Sequence, residues 1–130
     1  MTAQEFLYDT VHHYNSNNRC TDGQKCTYSP ITIDKKNSEG CAIGRWLDPD
    51  LAYQIDTERS GISSIINYII DIYPFPEWMK QMNINFLKDV QSLHDTHEYW
   101  DSNGINKYGK NKVKSICEEY NLDYEQLNLN

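Results

Sequence analysis

The run Gly40-Cys41-Ala42-Ile43-Gly44-Arg45-Trp46 constrains the fold more than any other stretch of this chain. Two glycines flank three small or apolar residues, and an arginine and a tryptophan follow at once. Glycine adopts backbone angles that other residues avoid, so this order predicts a short buried strand that turns sharply into a helix. The surrounding sequence is polar and rich in Asn, Tyr and Lys. Whatever covers the buried strand must therefore be built with few Leu and Val side chains.

Aromatic residues supply the missing bulk. Only 38% of the chain is hydrophobic, yet it carries 10 Tyr, 3 Trp and 3 Phe, and each such ring buries a large area. A chain of 130 residues suits a single core. We expect one globular domain over residues 1–122, followed by a short tail or an extra helical turn over 123–130.

Charge limits the partners. The net charge is −7 and the arginines are Arg19, Arg45 and Arg59, whereas a phosphate-backbone footprint needs clustered Lys and Arg. Nucleic acid is thus not an expected partner, and an acidic surface favours a basic protein instead. The start, Met1 to Asp9, lacks the basic residues and apolar run of a signal peptide. The longest apolar patch, Ile62 to Ile72, is interrupted by Ser63, Ser64, Asn67 and Asp71, too short and polar to span a bilayer. These features predict no membrane association, a cytoplasmic location and reduced cysteines.

The pattern of elements predicts a mainly α (α+β) domain of about four to six helices with a small β-hairpin inserted after the first helix. Thr2 and Glu5 form a capping box, and Phe6, Leu7, Val11 and Tyr14 lie on one face of a helix ending near Tyr14. Cys26-Thr27-Tyr28 alternates as a strand and is expected to pair with Gly40 to Ile43, with Lys35 to Ser38 at the exposed tip and an extra strand at Ile31 to Ile33. Asp48-Pro49 opens a short helix through Leu51, Ala52 and Ile55. Isoleucines from Ile62 to Ile70 follow at helical spacing, although their β-branching also suits a strand. A longer helix is expected from Glu77 to Leu93, on the stripe Trp78, Met79, Met82, Phe86, Leu87, Val90 and Leu93. The last helix runs from about Asn106 to Tyr120, and Gly109 weakens it unless another backbone packs closely there.

Taken together, several pieces resemble a family of small phage and bacterial accessory proteins. They are Tyr14-Asn15-Ser16, Cys26 with Tyr28, Gly40 to Arg45, Pro76-Glu77-Trp78-Met79, Phe86 to Asp95, Trp100 and Gly109. The resemblance covers residues 1–122 and implies a phage-type accessory role. It supplies no catalytic residues.

Candidate chemistry is sparse. Cys20, Cys26, Cys41 and Cys117 lack the two-to-four-residue separations of zinc fingers and ribbons. Cys26 and Cys41 across a hairpin, completed by His12 or His13, are the zinc alternative to small buried cysteines. His94-Asp95-Thr96-His97-Glu98 is the most metal-like cluster, since a continuing helix would set His94, His97 and Glu98 on one face. Its spacing differs from that of zincins, and His94 at a helix C-terminus also suits the helix dipole. Gly40 to Arg45 offers amides and a guanidinium to an anion, against a structural turn with Arg45 paired to a carboxylate. Lys107, Lys110, Lys112 and Lys114 form a basic strip of the kind that usually faces solvent.

The sparse chemistry predicts a non-catalytic, cofactor-free binding protein, and the resemblance implies that it counteracts a host defence system by binding and inhibiting a host protein. The residues expected at a ligand or partner are Arg45, Trp46, Arg19, Tyr28 and Trp100. One alternative is a sponge that sequesters a small nucleotide signal, in a pocket formed by a homo-oligomer. The other is a metal-dependent hydrolase using His94, Asp95, His97 and Glu98.

Overall fold

The computed structural model describes residues 1–18, 21–22, 25–26, 41–58 and 75–129. The fold is mainly helical with small antiparallel hairpins. Helix α1 (Ala3–His13) begins at the expected capping box: Glu5 N donates to the Thr2 hydroxyl at 3.1 Å, and Thr2 N donates to the Glu5 carboxylate at 2.9 Å. Phe6, Leu7, Thr10, Val11 and Tyr14 are its buried side. Beyond it, the Asn18 amide caps the helix by donating to His13 O at 2.8 Å.

The hairpin after α1 differs from expectation. Strand β1 (Thr21–Asp22) pairs antiparallel with β2 (Lys25–Cys26), Thr21 opposite Cys26. Cys41 to Ile43 is not a strand: it winds as a turn into a 3-10 helix at Gly44–Trp46. Cys26 therefore finds its strand partner only five residues back, where a tight connection costs little loop closure. The expected strand at Ile31 to Ile33, the tip at Lys35 to Ser38 and the segment Ile62 to Ile70 lie outside the described residues.

Asp48 opens helix α2 (Pro49–Glu58) as predicted, its carboxylate accepting from Asp50 N at 2.9 Å. The expected Glu77-to-Leu93 helix is in fact two helices, α3 (Glu77–Lys80) and α4 (Ile84–Asp95). Asn83 divides them. Its side chain accepts from Asn85 N and Phe86 N, the N-cap bonding that asparagine favours over mid-helix placement. Apolar residues on both sides keep the stripe continuous, which is why periodicity alone joined them.

Past α4, a 3-10 turn at His97–Tyr99 leads into β3 (Trp100–Asp101), which pairs with β4 (Gly104–Ile105). Gly104 sits at φ +125°, a conformation that disfavours side chains. Helix α5 (Lys107–Tyr120) then starts at Asn106, which accepts from Tyr108 N and Gly109 N at 3.0 Å. After α5 the chain adds one more turn, Glu125–Leu127, rather than fraying. Leu127 is fully buried, and Gln4 and Asp123 exchange two hydrogen bonds of 2.9 Å that tie this segment to α1.

Rings connect the layers. Trp46 meets Trp78 (5.8 Å between centroids), Trp78 meets Phe6 (5.8 Å), Phe6 meets Phe86 (6.2 Å) and Phe86 meets Tyr120 (5.3 Å). Tilted or edge-on geometry at each step suits the ring quadrupoles. The series crosses the 3-10 turn, α3, α1, α4 and α5, and Phe6 and Phe86 join it to a core that is otherwise largely aliphatic, with Trp46, Trp78 and Tyr120 packed at its margin.

Two predictions follow from this packing. A Cβ on Gly109 would sit 2.6 Å from the Tyr99 carbonyl and 2.4 Å from Ile105 Cγ1. Gly109→Ala is therefore expected to lose about 2 kcal/mol by overpacking, more than the roughly 1 kcal/mol that alanine adds to a helix; urea unfolding measures the net sign. Separately, the Thr2 backbone amide, then its hydroxyl, holds the Glu5 carboxyl below its ordinary value of 4.5. The contribution of Glu5 is complete above that value and fades as pH falls through the lower folded one. Thermal unfolding as a function of pH should show a shallower acid-side loss in Glu5→Gln.

Candidate functional site

The turn at residues 41–46 is held by α1 and α4. Cys41, Ala42, Ile43 and Gly44 are buried, so each backbone amide there needs a partner. Ile43 N donates to the side-chain oxygen of the buried Gln91 at 3.2 Å. Gly44 N donates to Cys41 Sγ at 3.2 Å, Arg45 N to Cys41 O at 3.0 Å and Trp46 N to Ile43 O at 3.1 Å. The amides of Ile43, Gly44 and Arg45, which a phosphate cradle would draw on, are thus engaged inside the fold.

Arg45 has a carboxylate partner, and it comes from another element. Its Nη2 pairs with Asp9 of α1. The guanidinium also lies 4.4 Å from the Trp46 ring and 5.9 Å from that of Tyr14. Its side chain is only 18% exposed, and burial lowers its pKa from the ordinary arginine value. A cation held between a carboxylate and two ring faces is well placed to lock α1 onto the turn. Arg45 Nε and Trp46 Nε1 are buried and have no hydrogen-bond partner among the described residues.

The same polar chain continues along α4. Gln91 Nε2 donates to Asp95 Oδ1 at 2.8 Å, and His94 Nδ1 lies 2.9 Å from that oxygen. His94 is fully buried, with its ring 4.6 Å from that of Tyr14. Helix α4 ends at Asp95, so the shared face expected for His94, His97 and Glu98 does not form. His97 and Glu98 instead stand exposed on the following 3-10 turn. Among the described residues, no group of three His, Cys, Asp or Glu is placed to hold a metal ion.

Of the residues expected at a ligand or partner, Arg45 and Trp46 are adjacent in this assembly. Trp100 is buried in the core, its indole donating to Leu93 O at 2.9 Å, so it presents nothing to a partner. Its place in a strand that packs inward is what a position beside a turn does not reveal. Arg19, Tyr28 and Cys20 lie outside the described residues. Cys41 and Cys117 are free and buried. The structure adds Asp9 and Gln91, which sequence reasoning passed over. Both look like ordinary polar helix positions, and neither spacing nor motif links them to residues 43–45. Tyr120 donates to Asp89 at 2.6 Å, and burial followed by that contact raises its phenol well above the ordinary tyrosine range.

No protein-family model, curated protein or solved structure matches the chain. Among the described residues, no helix is long and apolar enough to cross a membrane.

Removing one member of the Asp9–Arg45 pair strands the other. Asp9→Ala is expected to cost about 2 kcal/mol, less than a fully buried pair because both groups keep some solvent contact. Asp9→Ala/Arg45→Met should recover part of that loss, because it removes the stranded charge and keeps the apolar stem. Chemical denaturation of the two variants against the parent measures both values.

Proposed function

We propose that this chain is a phage-type accessory protein that acts by binding, engaging and inhibiting a host protein rather than transforming a substrate. The observation that carries this reading is the use of the turn's own groups. The amides of Ile43 to Trp46 and the Arg45 guanidinium serve the fold, so the most distinctive motif acts as scaffold. Exposed tyrosines remain as contact material. Tyr8 on α1 is 42% exposed and Tyr53 on α2 is 53% exposed. Tyrosine gives a rigid, amphipathic contact at low entropy cost and is enriched among interface anchors. The overall charge of −7 favours a partner with a basic face.

One observation favours the nucleotide sponge instead. Arg45 Nε and Trp46 Nε1 are neighbouring donors without a partner among the described residues, and an arginine beside an indole suits an anionic, stackable ligand. On that reading the site opens to admit the ligand.

Affinity purification of tagged protein from host lysate separates the two. Mass spectrometry would be applied both to co-purifying proteins and to small molecules released by heat. We expect a stoichiometric host protein whose recovery falls at least tenfold in Tyr8→Ala/Tyr53→Ala. An intact nucleotide released by heat, and lost in Arg45→Met, would replace this reading with the sponge.

A further inference from the structure

The charges on α5 run against its own dipole. Lys107, Lys110, Lys112 and Lys114 fall within its first eight residues, and the helix end they approach is already positive. Glu118 and Glu119 occupy its C-terminal end, followed by the exposed Asp123 and Glu125. No acidic residue lies in the first turn and no basic residue in the last. The buried side is Gly109, Val113, Ile116 and Cys117, which leaves Lys107, Tyr108, Asn111, Lys114, Ser115, Glu118 and Glu119 facing outward. Among the described residues, none of the charged members is in an ion pair. Tyr108, at 59% exposed, is the most exposed large hydrophobic residue among them.

We infer that this face binds a second copy of the chain, α5 against α5 in antiparallel order. A polar face with positive charge at one end and negative charge at the other is complementary to itself after a two-fold rotation. In that arrangement Lys107, with the half-buried Lys110 at the edge of the face, lies beside Glu118, Glu119 and Asp123 of the other copy, and the reverse. The pairing also corrects the dipole mismatch. Each negative helix end receives the other copy's lysines, and each positive end receives its glutamates. Lys114, nearest the two-fold axis, holds its ammonium 5.1 Å from the Tyr124 ring, which draws that charge toward its own chain and away from its symmetry mate. Tyr108 contributes the apolar contact at each end of the seam. A helix of 14 residues is about 21 Å long, and one such seam is smaller than a standard interface. The dimer is therefore weak, and it loosens as salt screens the pairs.

Sedimentation equilibrium of the full chain over a wide concentration range, at low and at high salt, tests this. The expected result is a monomer–dimer equilibrium that weakens at least tenfold in high salt. Lys107→Glu/Lys110→Glu and Glu118→Lys/Glu119→Lys should each be monomeric, and an equimolar mixture of the two should dimerise again. Either reversal improves the match between α5 and its own dipole, so both variants are expected to melt no lower than the parent. Loss of the dimer is thereby separated from loss of the fold. A parent chain that stays monomeric at millimolar concentration overturns the inference. A dimer indifferent to salt and to both reversals does so too.

Discussion

A buried turn must have its amides satisfied, and the packing around residues 41–46 follows from that requirement. The segment is too apolar to sit at the surface, and it winds as a turn and so has no strand ladder to take up its donors. Its donors are met by a cysteine sulfur, by carbonyls of its own turn, and by Gln91 reaching from α4. Leaving one such donor unmet costs about 1–3 kcal/mol, a large fraction of the stability of a small domain. Gln91 therefore fixes how α4 approaches the turn, and Asp9 fixes how α1 does through Arg45.

Around that polar frame the rings set the spacing. Phe6 touches both Trp78 and Phe86, and Phe86 reaches Tyr120. These contacts join elements from both ends of the sequence, and Leu127 closes the core from the C-terminal side. His94 belongs to this interior as well. Its contacts with Asp95 and Tyr14 link the end of α4 to the end of α1, so a residue that sequence spacing offers to a metal is part of the packing between helices.

The buried polar groups described above hold helices together, whereas the exposed tyrosines of α1, α2 and α5 and the divided charge of α5 do nothing evident for the fold. The charge division on α5 runs against the helix dipole, which is why it invites an explanation beyond the single chain.

Much of the local structure was legible in the sequence. The Thr2–Glu5 capping box, the Asp48-Pro49 start of α2 and the helical periodicity all rest on interactions within a few residues, and local chemistry determines these. The sequence by itself did not determine that Cys41 to Ile43 is a turn and not a strand, or that Asn83 divides a helix whose apolar stripe runs on unbroken. Nor did it determine that Arg45 pairs with Asp9, that Gln91 serves Ile43, or that Trp100 lies inside. Each of these depends on a partner distant in the chain, or on a choice between two states of nearly equal local propensity. Only the tertiary structure decided them, because burial turns an optional hydrogen bond or ion pair into an obligatory one.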